Sequence, residues 1–353
     1  MREAIQRRDF LKTSLSAAVL AGNRFSPLVP QGSNTLRAAG AARNVLVGSA
    51  VSNSQLHDAA LTTFLVEQCD IVAPESEMNW EDIHPERERF DFADGDELMA
   101  FAARNSLLVR GGTLCSHEDQ PSWLGIATRE NAAHLLVDHI RTVAGRYAGR
   151  IHSWDVVSDA IEPDDRRSDG MRESSWLQLL GLQYIAIAFR TAAKADPKAL
   201  LIYSDYGLEG DAPENDQRRV VALALLRWMR ANQIPIHALG LQSHLTAKFG
   251  PWPDWRGLHE FLKQVGKLEL QVFVTELDID DTDYPASGQK RQKAVAELCR
   301  RYLENALTHP QVKAVLTSGL ISHDSEGHRA LPLDEEQRLT PFFTAMLDTL
   351  QKR

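Results

Sequence analysis

The sequence is poor in cysteine. Its three cysteines, Cys69, Cys115 and Cys299, are too few and too widely spaced for a disulfide framework or a CxxC metal site. Buried free thiols are the expected state; a single disulfide stays open for an exported chain. An excess of positive charge is also missing: 39 Lys and Arg stand against 48 Asp and Glu, a net charge of −9. Nucleic acid and anionic membrane both call for a basic surface, so neither is the expected partner. A neutral sugar is untouched by that exclusion. No apolar run approaches the roughly 20 residues of a membrane span. No Gly-rich phosphate loop follows the first strand-like run, which removes the usual signal of a doubly wound nucleotide-binding sheet. There is no internal linker and no low-complexity tract. What is present is 43% hydrophobic and 25% charged residues in 353 positions, enough for one large core.

The N-terminus reads as a processing segment. Arg7-Arg8-Asp9-Phe10-Leu11-Lys12 precedes a mildly apolar stretch from Thr13 to Gly22, which resembles a twin-arginine export signal. Small residues around 37–42 offer a cleavage site. The expected organisation is therefore an export signal and lead over 1–42, then one domain over 43–353. The expected location is periplasmic or secreted, and the expected state is a monomer.

From Asn44 a β-branched apolar run alternates with a helix-periodic stretch, again and again. The strand runs fall at 45–52, 69–76, 107–115, 151–159, 200–205, 238–245, 270–277 and 312–321. Helical periodicity marks 132–147, 176–195, 222–231, 258–265, 290–307 and 342–350. Strands alternating with helices predict a parallel α/β sheet, and eight strands close a (β/α)8 TIM barrel as a single domain.

Six of the runs end in polar clusters: Glu75-Ser76-Glu77, Ser116-His117-Glu118-Asp119-Gln120, Ser158-Asp159, Ser204-Asp205-Tyr206, Gln242-Ser243-His244 and Thr275-Glu276-Leu277-Asp278. A lone acid after a strand is an ordinary helix cap. Six clusters converging on one barrel face are a candidate active site, because gathering carboxylates is costly unless chemistry uses them. Asp159 after strand four and Glu276 after strand seven face each other across such a barrel. Glycoside hydrolysis needs that pair: one carboxyl protonates the leaving oxygen, and the other attacks the anomeric carbon or activates water. Gln242 and His244 alternate with Ser243 and so share a side with each other. Trp80, Trp123, Trp154 and Tyr206 offer faces for sugar rings. His117, His244, His323 and Asp324 lack HxxxH or HExxH spacing, so no metal is expected.

These residues carry a resemblance. The stretches Arg146-Tyr147-Ala148-Gly149-Arg150-Ile151-His152-Ser153-Trp154-Asp155-Val156-Val157, Gly240-Leu241-Gln242-Ser243-His244-Leu245 and Val274-Thr275-Glu276-Leu277-Asp278-Ile279 resemble family 10 glycoside hydrolases, the xylanase family. Weaker echoes are Glu75-Ser76-Glu77-Met78-Asn79-Trp80 and Gln120-Pro121-Ser122-Trp123-Leu124. The resemblance implies an eight-fold barrel, a retaining mechanism with Glu276 as nucleophile, and His117, Gln242 and His244 around the sugar nearest the scissile bond. Glu75, Trp123, Ser158 and Tyr206 join the substrate-binding set. No metal or organic cofactor is implied; the partner is a carbohydrate or glycoside.

The chain departs from the family pattern at the site itself. The strand-four motif, normally Asn-Glu, is Ser158-Asp159. Ser76 and Asn79 replace the Asn and Lys that grip xylan. Ser116 and Ser318 stand where tryptophans are usual, and Glu326 aligns with another. Asp is one methylene shorter than Glu, so on an unmoved backbone its carboxyl retreats by about 1.5 Å. Retaining enzymes hold their carboxyls about 5–5.5 Å apart and inverting ones about 6.5–9.5 Å, and the expected gap falls between. The reading is a glycoside hydrolase with Glu276 as nucleophile and Asp159 as acid/base, on a glycoside other than typical xylan. The alternatives are a non-catalytic glycan-binding barrel, or an enzyme of another class that has reused the carboxylates.

Overall fold

The β-branched runs become short parallel strands, as steric preference for a pleated, buried environment demands. In the computed structural model, which describes residues 34–248, 252–284, 288–322 and 329–352, the barrel strands are β1 (Leu46–Val51), β2 (Ile71–Pro74), β3 (Leu108–Thr113), β4 (Ser153–Ser158), β5 (Leu200–Asp205), β6 (Ala238–Leu241), β7 (Gln271–Asp280) and β8 (Val312–Thr317). Each pairs in parallel with the next, and β8 returns to β1 through Leu46 opposite Ala314 and Ser49 opposite Thr317. That last pairing closes the (β/α)8 barrel the sequence predicts. Arg7–Lys12, His323, Asp324 and Glu326 lie outside the described residues.

The apolar residues divide into two layers. A small inner cluster, including Ile71, Ala73, Ile202, Ala238, Phe273 and Leu316, fills the barrel interior. A much larger cluster lies between strands and helices. Alternation along each strand produces this division. Strand β7 outlasts its neighbours. Its outer end, from Asp278, pairs with the short strand His244–Thr246 and with Arg329–Ala330, so Asp278 stands on a sheet extension and Glu276 just before it at the barrel rim.

The folded body starts earlier than residue 43. Helix Leu36–Arg43 is capped by Thr35, whose hydroxyl accepts from Ala38 N at 3.1 Å. Leu36 and Ala39 are buried, Leu36 N donates to Gln68 Oε1, and Arg43 Nε donates to the Leu350 carbonyl on the last helix. Residues 35–43 thus pack as part of the folded body, and a cut at 37–42 would sever this helix. The long helix expected over 176–195 is two, Ser175–Leu180 and Gln183–Ala195, parted by Gly181 at φ 59. All three cysteines are free and buried, so the disulfide left open does not form.

Two packing details govern the site's floor. Gly111 on β3 lies against Trp154 of β4; a Cβ there would come within 2.3 Å of the indole. Behind the β2 end, Trp80 stacks on His139 with ring centres 3.7 Å apart. His84 Nε2 donates to the Arg87 carbonyl at 3.1 Å, so a neutral His84 accepts at Nδ1 from His139 Nδ1 at 3.3 Å, and protonating His84 Nδ1 would break that bond. Burial depresses the proton affinity of both rings, and in His139 the effect is large.

Gly111→Ala should overpack the β3–β4 contact and cost about 1–3 kcal/mol in denaturant unfolding. The histidine pair gives a second test. Its folded-state affinity for protons lies below the ordinary value near 6.5, so its stabilisation is complete above that pH and is lost as the pH falls. The difference in Tm between wild type and His139→Phe should therefore shrink on acidification from neutrality, measured by calorimetry across a pH series.

Candidate active site

The strand ends deliver their polar residues to one cavity of about 460 Å³. Glu75, His117, Ser158, Asp159, Tyr206, Gln242, His244 and Glu276 all line it, with Asn79, Arg110, Ser116, Asp155, Arg172 and Ser318. The size suits a small ligand.

Gln242 couples the two carboxylates expected to do chemistry. Its Nε2 donates to Asp159 Oδ1 at 2.9 Å, and its backbone carbonyl accepts from Glu276 N at 3.1 Å. One residue after β6 thus spans the cavity from the β4 end to β7. Asp159 takes a left-handed backbone, φ 56, a conformation Asp tolerates better than bulkier residues. Its peptide is pinned from both sides. Asp159 N donates to the Ser204 carbonyl at 3.0 Å, and the Asp159 carbonyl accepts from Arg172 Nε at 2.7 Å. Arg172 is itself held by Tyr206 Oη at 2.7 Å and Glu162 Oε2 at 3.1 Å.

The environments of the two carboxyls differ in sign. Burial, then the negative charges of Glu276 and Asp155, push Asp159 up to about 7. Burial would raise Glu276 as well, but His244, Arg110 and Arg329 outweigh it and hold Glu276 below the usual glutamate value. His244 is the stronger hold. Burial opposes its charge, yet Asp278 and Glu276 overcome that and lift the imidazole to about 10. The protonated ring donates from Nδ1 to Asp278 Oδ2 at 2.9 Å and faces Glu276 Oε2 from Nε2 at 3.5 Å. Asp278 also accepts from Ser318 Oγ at 2.8 Å. Below them Arg110 is ion-paired to Asp155 and lies 3.9 Å from Glu276 Oε1. Near neutral pH Glu276 is therefore ionised while Asp159 keeps a proton for a good part of the time, the division that acid/base chemistry requires.

Three aromatic expectations are corrected. Trp123 does not reach the cavity. Its Nε1 donates to the His84 carbonyl at 2.8 Å and its ring lies against His84. Trp154 is fully buried and bonds Asp196, because β4 turns that residue toward the helices. Trp80 lines the cavity but is 97% covered, its face taken by His139 and Trp176. Of the aromatics named, Tyr206 alone stands half-buried at the cavity wall.

Arg110, Asp155 and Arg172 belong to the site although the sequence did not single them out, and Asp278, named there only within a strand-end cluster, holds His244. A signal existed for two. Arg110 is a lone charge inside an apolar strand run, and Asp278 follows Glu276 by two, so both face one way. Arg172 sits in a loop with no such pattern. Among the described residues no group of three or more His, Cys, Asp or Glu is arranged to hold a metal ion.

A closed (β/α)8 barrel with two electrostatically divided carboxyls at its strand ends is a barrel of the glycoside hydrolase class. The chain belongs to glycosyl hydrolase family 10, whose model matches residues 35–349. It is similar to endo-1,4-beta-xylanase B of Thermotoga neapolitana, 30% identical over 88% of this chain and 90% of that protein. It is also similar to the beta-1,4-xylanase of Dictyoglomus thermophilum, 34% identical over 73% of this chain and 72% of that one. The crystal structure of xylanase 10B from Thermotoga petrophila with xylobiose superposes with a TM-score of 0.82 at 29% identity, covering 90% of this chain and 97% of that one. The enzyme is a glycoside hydrolase of xylanase-like type.

The electrostatic coupling is testable directly. Glu276→Gln removes a negative neighbour, so Asp159 should titrate below its value of about 7, toward the ordinary carboxylate range. Carboxyl ¹³C shifts followed over pH would show it; an unmoved Asp159 would mean that the two groups do not sense each other.

Proposed function

We propose that the protein hydrolyses a glycosidic bond with retention, with Glu276 as nucleophile and Asp159 as acid/base, on a glycoside other than typical xylan. The observation that carries this reading is the opposite displacement of the two carboxyls in one cavity. In the first step Glu276 attacks the anomeric carbon as the C–O bond to the leaving group breaks. Asp159 gives its proton to the departing oxygen. In the second step the ionised Asp159 takes a proton from water, whose oxygen attacks the anomeric carbon and frees Glu276. His244 and Arg110 keep Glu276 anionic and oriented, and Gln242 holds the Asp159 carboxyl toward it.

The shorter acid calls for compensation. Its support is the pinned left-handed peptide, in which Ser204 and Arg172 fix where the Asp159 side chain begins. The case against typical xylan rests on the cavity wall. Ser116 and Ser318 give hydroxyls where the family pattern has indoles, Asn79 gives an amide in place of an ammonium, and Trp80 and Trp123 are occupied elsewhere. Sugar stacking surface is therefore scarce on that side. We further propose that the Arg7-Arg8 segment directs export, which replacement of both arginines by lysine should abolish in a fractionation assay.

A panel of aryl β-glycosides and oligosaccharides tests the main reading. Activity should fall on the alkaline side as Asp159 loses its proton near pH 7, and on the acid side only below the usual glutamate range. Glu276→Gln should abolish turnover. Asp159→Asn should cost on the order of 10²–10⁴ on poor leaving groups and far less on dinitrophenyl glycosides, which depart without a proton. Anomeric NMR of the first product should show retention. A Glu276→Gln variant as active as wild type would sink the assignment, and glycan binding without any turnover would favour a non-catalytic barrel.

A further inference from the structure

The cavity that holds the carboxyls is lopsided. On one flank the loop after β2 and the loop after β3 are tied together at its rim. Asn79 Nδ2 donates to Asp119 Oδ2 at 2.7 Å, and Glu81 N donates to the Asp119 carbonyl at 2.9 Å. The tied loop is braced again on its far side, where Ser175 Oγ donates to Gln120 Oε1 at 3.2 Å and Gln120 Nε2 to the Ser116 carbonyl at 2.7 Å. Asn79 and Asp119 both line the cavity, so the clasp forms part of its wall. No exposed aromatic face stands on this flank among the described residues; Trp80 is covered.

The opposite flank is open. Tyr206 and His244 line the first cavity and also a second one of about 850 Å³, so the two adjoin at those side chains. The second cavity has a half-buried Trp252 in its wall. Room and an aromatic surface are thus on the Tyr206 side.

Chemistry tells which flank is which. The leaving oxygen takes its proton from Asp159, so the leaving group lies on the Asp159 side, beside Tyr206 and Gln242. The ring attacked by Glu276 then extends the other way, toward Ser318, Glu75 and the Asn79–Asp119 clasp. We infer that the site takes a short glycone and a long leaving group: it removes single units from the non-reducing end of a chain whose remainder lies along Tyr206 and Trp252. This rests on the roles assigned to Glu276 and Asp159 above. The clasp is the specificity element on the glycone side, and Trp252 is the platform on the leaving side, where an aromatic face suits the apolar face of a sugar ring.

Reducing-end-labelled β-1,4-linked xylo- and cello-oligosaccharides, from trimer to hexamer, test the inference with the full chain. The labelled product should be one unit shorter than the substrate at early times. The hexamer-to-trimer ratio of kcat/KM should exceed unity, and Trp252→Ala should cut that ratio by about tenfold, the scale of one good ring contact. Asn79→Ala with Asp119→Gly, which opens the clasp while leaving a residue suited to positive φ, should raise release of two-unit products at least tenfold. Wild-type cleavage mainly at internal bonds, or a ratio and product pattern unmoved by both variants, would overturn the inference while leaving the hydrolase reading intact. No turnover of the oligosaccharides or of any aryl glycoside would overturn both.

Discussion

Everything at the mouth of this barrel is arranged around one electrostatic constraint: two carboxyls buried in one cavity resist ionising together, so Asp159 is pushed up to about 7 while Glu276 is held low. At an effective dielectric of 20, two charges at the roughly 5 Å of a retaining pair repel by about 3 kcal/mol. The chain resolves the conflict by giving its cations to one partner. His244 and Arg110 face the Glu276 carboxyl, while the Asp159 carboxyl accepts from the neutral amide of Gln242 and Arg172 bonds only its backbone carbonyl. The asymmetry is itself supported underneath, since Asp278 and Asp155 hold His244 and Arg110 in place. The different charge states of the two carboxyls are therefore set by the residues behind them rather than by the carboxyls themselves.

That dependence ties function to the barrel's least regular parts. Strand β7 runs from Glu276 at the rim into an extension where Asp278 pairs with His244, so the histidine sits beside both acids. Asp159 stands on a single left-handed residue beyond β4, braced by Arg172. Bends of this kind are where a scaffold trades backbone comfort for chemical placement. The Arg172–Tyr206–Glu162–Arg218 cluster behind it is fully bonded, with Arg218 Nη2 2.7 Å from Glu162 Oε1 and 3.0 Å from Tyr206 Oη, which makes it a stiff support.

The division between retained and rewritten residues follows the same line. Gln242, His244 and Glu276 stand in stretches that resemble the family pattern, and Ser116, Ser318 and Asn79 on the cavity wall depart from it. Serines at 116 and 318 and an amide at 79 change shape and stacking without disturbing the carboxyl pair. A glycosidase can change its substrate in this way while its reaction stays as it was, because binding of remote sugar units and stabilisation at the reacting carbon are supplied by different side chains.

Much was legible in the sequence by itself. Alternating periodicity sets the eight strands because burial on both faces demands continuous β-branched runs, and polar clusters at the run ends locate the mouth because parallel strands all end on the same side. Glu276, Asp159, Gln242 and His244 follow from those two facts. The fate of the tryptophans did not follow: Trp123, Trp154 and Trp80 read alike in sequence, and only packing decides which face a neighbour has already taken. The start of the domain was equally hidden, since helix Leu36–Arg43 carries small residues whose burial depends on the last helix, more than 300 positions away. The proton's location was a tertiary matter too. Spacing shows which carboxyls meet, but which of them ionises depends on where His244, Arg110 and Arg172 come to rest in three dimensions, and charge interactions act through space and not along the chain.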